Sequence, residues 1–323
     1  MRSWLVRRIA QAVVTFAIAV VLMFVLMRLA PGDPIGRLQD DRAMSQAEVA
    51  RLRDLYDLDQ PVWRQFLTFV QGVLQADLGT SIEHGLPVTS MLAARLGPTL
   101  LLGGAAILLN FTVGLWLGVR QAVRRGRRED RVLTVLSLAG YATPSFWLGL
   151  VLAWLVGIKL GWLPVAGMKN PLLSPGDPWI VRALDIAAHL VLPALTMSIV
   201  TIAGTMRYQR SAMLEVLRLP YIWTARAKGL PERAVIWRHA WRNALFPVIT
   251  LFGLWLPLLV TGSVFVEMVF AWPGLGSLAA HAASSRDYPM VMGASLLAAG
   301  VVVTASLLTD IAYALLDPRV RHS

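Results

Sequence analysis

The chain has 323 residues, of which 56% are hydrophobic and only 15% charged, with a mean hydropathy of +0.60; an ordinary soluble domain carries about 25% charged residues. That balance excludes a water-soluble globule, and at about 20 apolar residues per crossing the length accommodates several membrane spans. The net charge of +11 does not point to nucleic acid, because the basic residues sit in short clusters between apolar runs. Cysteine is absent, which excludes disulfides and thiolate metal sites, and the histidines, His84, His189, His239, His281 and His322, show no metal-binding spacing such as HExxH.

The first apolar run, Ile9 to Leu29, follows Arg2, Arg7 and Arg8 and resembles a secretory signal only superficially. It is longer than a signal core and lacks a small-residue cleavage site, so it reads as an uncleaved span. Five more spans are expected at about Pro98 to Val119, Val132 to Val156, Ile186 to Met206, Ala244 to Phe265 and Met290 to Ile311. The fold class is therefore all-α, a polytopic bundle of about six transmembrane helices. The amino terminus, the loop 120–131, the loop 207–243 and the tail together hold 19 of the 30 Lys and Arg residues. Cytoplasmic flanks are enriched in Lys and Arg, which puts those segments and both termini inside.

The outside segment 30–97 reads as helical. Ser45-Gln46-Ala47-Glu48 matches a capping box ahead of Val49, Leu52 and Tyr56 on one face. A second helix is expected after Asp59, with Pro61 in its first turn and Trp63, Phe66, Leu67, Val70 and Leu74 at helical spacing. Packing onto the membrane domain and docking of an external partner are both compatible with this pattern.

Within the spans, Arg28, Glu267 and Asp310 lie near ends, where snorkelling and water lower their cost. Coupled carriers place carboxylates or histidine mid-membrane, so their scarcity here argues against a self-powered carrier. Gly114 and Gly118 form a small-xxx-small pair in the second span, and Ser198, Thr201 and Thr205 share a face of the fourth. Close helix packing is the first expectation for both sets, with a substrate path the alternative for the Ser/Thr stripe.

The loop 207–243 holds the most informative stretch, Leu219 to Arg233. Pro220 suits the start of a short helix and Gly229 its end, with Lys228 at the negative end of the dipole. Pro231 and Glu232 suit the start of a second helix, so two short helices meet at an abrupt bend. By itself such a unit is either a basic loop on lipid headgroups or a rigid knob for a soluble partner.

From Arg28-Leu29-Ala30-Pro31-Gly32-Asp33-Pro34 onward, the sequence resembles the inner-membrane permeases of binding-protein-dependent ABC importers, in their dipeptide, oligopeptide and nickel branch. The resemblance continues through Leu58-Asp59-Gln60-Pro61, Asp77-Leu78-Gly79-Thr80-Ser81, Thr143-Pro144-Ser145-Phe146-Trp147-Leu148-Gly149 and Leu160-Gly161-Trp162-Leu163-Pro164. It resumes at Phe270-Ala271-Trp272-Pro273-Gly274-Leu275-Gly276, Asp287-Tyr288-Pro289 and Leu316-Asp317-Pro318-Arg319. Thr224 to Leu230, followed by Arg238-His239-Ala240 and the run Arg242 to Pro247, looks like this branch's EAA loop. Trp223 stands where the general motif has Glu and Thr224 where it has its first Ala, so the motif's carboxylate is missing while the glycine corner survives.

The resemblance implies a type I importer permease fold with a first helix (1–29), an extracytoplasmic segment (30–97), a core (98–316) containing the coupling loop, and a tail (317–323). It implies that Ala225, Arg226, Ala227, Lys228, Gly229 and Leu230 sit in a groove of a cytoplasmic ATPase. No GxxxxGK[ST] phosphate loop occurs in the chain, so ATP and magnesium belong to separate ATPase subunits and no cofactor is expected here. The other implied partners are a second, related permease, an extracytoplasmic solute-binding protein and membrane lipid. Peptides are the branch's commonest substrates, with nickel, glutathione and other solutes also represented. A stand-alone carrier or channel is the alternative, and an intramembrane enzyme is disfavoured because no catalytic pair lies at depth.

Overall fold

In the computed structural model, residues 2–29, 35, 45–56, 59–245, 248, 253 and 264–316 are described. Among them no strand forms; the isolated bridge Thr80 to Pro87 closes the turn over 82–84. The helices in chain order are α1 (Arg2–Leu29), α2 (Gln46–Leu55), α3 (Val62–Leu74), α4 (Val88–Val123), α5 (Arg128–Ala142) and α6 (Ser145–Leu152), which runs on as a π-helix over Ala153–Lys159. They continue as α7 (Trp179–Val216), α8 (Pro220–Ala227), α9 (Glu232–Ala234), a π turn over Val235–Ala240, α10 (Trp241–Ala244), α11 (Val264–Val269), α12 (Leu275–Ser285) and α13 (Tyr288–Leu316).

Among the described residues four helices, α1, α4, α7 and α13, are long and apolar enough to cross a membrane. They correspond to the first, second, fourth and sixth expected spans. The fifth, 244–265, falls almost wholly outside the described residues. The third, expected as one helix over Val132 to Val156, is broken: α5 and the helix from Ser145 are bent by 104°. The cause is local. Pro144 has no N–H to continue the helix, and its ring pushes Thr143 into extended backbone, at φ −81° and ψ 124°. The 15 residues of α5 rise only about 22 Å at about 1.5 Å each, short of the roughly 30 Å hydrocarbon layer.

The chain forms two compact units, residues 1–99 with 274–323 and residues 100–273. In the first unit α1 packs along α13. Phe24 of α1 is buried against α3, edge-on to Phe66 at 5.2 Å and stacked on Phe69 at 5.9 Å between centroids. Arg8 and Asp310 pair at 3.1 Å between the same two long helices. The capping box forms as read: Ser45 N–H donates to Glu48 Oε2 at 2.9 Å and Glu48 N–H to Ser45 Oγ at 3.3 Å. The apolar face of α3 is divided. Phe66 meets α1, whereas Val62, Trp63, Leu67 and Leu74 remain exposed.

In the second unit α4 and α7 lie in close contact along the small-residue edge of α4. A methyl group added at Gly118 would sit 2.7 Å from both Gln209 Cβ and the Met206 carbonyl oxygen, and one at Gly114 would sit 3.1 Å from Thr205. Only the missing side chains permit this approach. Gly118→Ala should therefore force the helices apart, costing about 1–3 kcal/mol through overpacking. Gly104→Ala, on the same helix with open space at its Cβ, should be neutral or stabilising by up to about 1 kcal/mol. Thermal melts of the two purified variants in detergent would test this contrast.

Candidate functional site

The site is the elbow from Leu219 to Ala244. Pro220 opens α8 at its first position with φ already restricted, and Leu219 carries the extended backbone of an N-cap. The far end closes as a Schellman motif. Leu230 N–H donates to the Ala225 carbonyl at 3.4 Å and Gly229 N–H to the Arg226 carbonyl at 2.9 Å. This closure requires a left-handed residue, and Gly229 provides it at φ +74° without a Cβ penalty. Pro231 then caps α9, and the chain continues through the π turn into α10.

The inner face of the elbow is apolar and keyed to the ends of the two long helices. Ile222, Ala225, Val235, Ala240 and Ala244 form one buried cluster with Val119 and Ala122 of α4 and with Ala212, Met213 and Val216 of α7. Polar ties complete the fixation. Arg226 donates to Glu232 through Nε at 3.1 Å and Nη2 at 2.7 Å, a two-pronged pair that spans the glycine corner. Asn243 Nδ2 donates to Tyr221 Oη at 2.6 Å, binding α10 back onto α8. In the first turn of α5, Asp130 accepts Arg210 Nε and Nη2 of α7, both at 3.1 Å, and the N–H of Gly126 in the α4–α5 turn at 2.9 Å.

The stretch 225–230 divides accordingly. Ala225 is turned into the cluster and Arg226 is half-buried on Glu232, while Ala227, Lys228, Gly229 and Leu230 are exposed. The exposed rim also includes Thr224 and Trp223, the latter 62% exposed with the Arg226 guanidinium 5.9 Å from its ring centroid. The missing carboxylate of the general motif is thus matched by an outward-facing indole. The residues overlooked by sequence reading are Ile222, Glu232 as the partner of Arg226, and Asp130 with Arg210. The apolar spacing of Ile222 and Ala225 was a usable signal for the first; for the others the sequence holds no local one.

Two residues of the Ser/Thr stripe of α7, Ser198 and Thr205, face α4. Ser198 Oγ donates to the Ala194 carbonyl one turn back and lies 3.5 Å from the Ala106 carbonyl of α4. Thr201 donates to the Ser198 carbonyl at 2.9 Å, and Thr205 is buried opposite Gly114. The hydroxyls of Ser198 and Thr201 are directed to backbone carbonyls of their own helix.

Electrostatics at the corner follow from the ion pair. Hydrogen bonding from Arg226 outweighs partial burial and holds the Glu232 carboxyl below the usual glutamate range, while the same contact raises Arg226. The unfolded chain thus binds a proton more readily at Glu232, so this contribution to stability is complete above the ordinary glutamate pKa and is lost as pH falls through the lower folded value. Both partners are substantially solvated, so the pair contributes no more than about 1 kcal/mol. Glu232→Gln should remove this acid dependence, read as proteolytic nicking at the corner between about pH 3 and 6. Ile222→Ala should loosen the elbow at every pH, by about 2–5 kcal/mol in the same assay.

The family model for the binding-protein-dependent transport system inner membrane component matches residues 110–322, and that for the amino-terminal part of such membrane components matches residues 1–102. The chain is 39% identical to the oligopeptide transport system permease protein AppB of Bacillus subtilis strain 168 over 323 residues, all of both chains. It is 39% identical to the di/tripeptide transport system permease protein DppB of Pseudomonas aeruginosa strain UCBPP-PA14, covering 100% of this chain and 99% of that one. With the dipeptide transport system permease protein DppB of Escherichia coli strain K12 the identity is 38% at the same coverage. A chain of apolar helices with a glycine-cornered elbow, matched by these models over nearly its full length, belongs to the family of binding-protein-dependent transport system inner membrane components.

Proposed function

We propose that this permease subunit carries di- or oligopeptides, and that the elbow Leu219 to Ala244 is where a cytoplasmic ATPase grips it. Family membership makes the chain a transport subunit of the membrane, without enzymatic activity of its own, that works with ATPase and solute-binding partners. The stand-alone carrier or channel reading has no support from these relatives. The peptide assignment rests on the full-length similarity to proteins named for peptide transport. The elbow assignment rests on one observation: a surface of Trp223, Thr224, Ala227, Lys228 and Leu230 is held rigid from behind by a cluster that includes both long helices.

In this mechanism the elbow faces the cytoplasm, as do both termini, in keeping with the basic flanks. Lys228 offers a charge-assisted contact and Trp223 and Leu230 an apolar one, while Ala225, Arg226 and Gly229 build the shape that presents them. Closure of two ATPase subunits on ATP and magnesium, which this chain does not bind, would push the elbow. The buried cluster would convert that push into rigid-body rocking of α4 and α7 against a second, related permease. The solute-binding protein delivers peptide to the opposite face and carries most of the selectivity. The stripe Ser198, Thr201 and Thr205 serves the path by permitting close contact of α4 and α7.

Gly229→Val tests the elbow. A β-branched residue at φ +74° is strained whatever the space around it, so ATP-dependent peptide uptake should fall at least tenfold with membrane insertion unchanged. Full uptake by this variant, or co-purification without any ATPase subunit, would overturn the assignment.

A further inference from the structure

Outside the elbow, the first unit gathers metal-binding side chains from two distant parts of the sequence. Glu83 and His84 lie in the turn between α3 and α4, and His281 lies on α12. Glu83 Oε2 is 3.4 Å from His281 Nδ1, and the rings of His84 and His281 have centroids 6.3 Å apart. Asp287 completes the group: ligand atoms of Glu83, His84 and Asp287 all lie within 4.8 Å of one another.

We propose that Glu83, His84 and His281, backed by Asp287, form a site for a divalent transition-metal ion of the zinc class. The four residues have unequal roles. Asp287 is buried and already occupied as an acceptor: it takes the Ser81 hydroxyl, the Ile82 N–H at 3.1 Å, the Glu83 N–H at 3.4 Å and the Met290 N–H at 3.3 Å. It fixes the turn and places negative charge beside the site. The exposed residues His84 and His281, with the half-buried Glu83, supply the donors.

With the Ser81 hydroxyl hydrogen donated to Asp287, the 3.3 Å contact between Ser81 Oγ and His84 Nδ1 is a hydrogen bond only when Nδ1 carries a proton. In the neutral ring, that tautomer presents the Nε2 lone pair to a metal. This Asp–Ser–His chain is the outer-shell support that metal-bound imidazoles commonly have.

Distances decide whether a metal fits. Zn–N bonds of about 2.0–2.1 Å put two imidazole centroids of a tetrahedral site roughly 5 Å apart. Closing from 6.3 Å therefore takes about 1 Å of movement by two exposed side chains. Two imidazoles and a carboxylate suit zinc, cobalt, nickel or copper and discriminate against magnesium and calcium, which prefer all-oxygen shells. Water fills the fourth position, so the ion would serve as a clip between the turn and α12.

The test uses the full-length chain, purified with its partner subunits into lipid nanodiscs, stripped with EDTA and titrated with Co²⁺ alone. Saturable binding with the visible bands of a tetrahedral cobalt site is expected. His84→Ala and His281→Ala, both at exposed positions, should each weaken it at least tenfold while leaving the metal-free melting curve unchanged. Zn²⁺ should displace cobalt at micromolar concentration, and Mg²⁺ should not at millimolar. Equal affinity in the parent and both variants, absence of saturable binding, or displacement by Mg²⁺ would overturn the proposal. Peptide uptake is not part of the readout, so this result stands apart from that of the elbow variants.

Discussion

The close approach of α4 to α7 at Gly114 and Gly118 is the contact on which the second unit depends. A membrane interior offers little hydrophobic drive for helices to associate, because lipid tails are as apolar as leucine. What holds them is the depth of contact that small residues allow, and here it is limited by backbone: the Met206 carbonyl occupies the space a Gly118 side chain would need. Everything above the seam inherits its geometry. The Asp130–Arg210 strut ties the α4–α5 turn to α7, and the apolar cluster under the elbow takes side chains from both helices. The elbow is therefore attached to a pair of helices held as one body.

The elbow is stiff for reasons that lie within about two dozen residues. A Schellman closure satisfies the carbonyls at the end of α8, the Arg226–Glu232 pair bridges the corner, and Asn243 closes onto Tyr221. Each tie is modest. Together they leave the Gly229 corner with neither frayed ends nor an unsupported bend. The outward Trp223, in place of the acidic residue of the general motif, makes the exposed face of the elbow more apolar.

Where one or two turns of chain decide the outcome, the sequence was readable. The capping box at Ser45, the start at Pro220 and the stop at Gly229 all form as expected, because each depends on bonds between residues at most five apart. The Thr143–Pro144 break was visible as a residue pair but lost in a long apolar average. Hydropathy counts methylene groups and is blind to a missing N–H. The π turn over Val235–Ala240 has no signature of its own, since its extra residue is accommodated by packing of Val235 and Ala240 in the cluster. Contacts such as Asp130 with Arg210, separated by 80 positions, or Ser81 with Asp287, separated by 206, exist only once the helices are assembled.

At about 1.5 Å per residue, the 38 residues of α7 extend about 57 Å, nearly twice the hydrocarbon thickness of roughly 30 Å. Arg207 and Arg210 lie in its last three turns, where charge marks the overhang beyond the lipid tails. The strut and the apolar cluster are built on that overhang and take no part in matching helix length to lipid. A bilayer that thins or thickens by a few ångströms would slide its surface along α7 without altering the parts that hold the elbow. The elbow is in this way buffered against the composition of the membrane in which its helices stand.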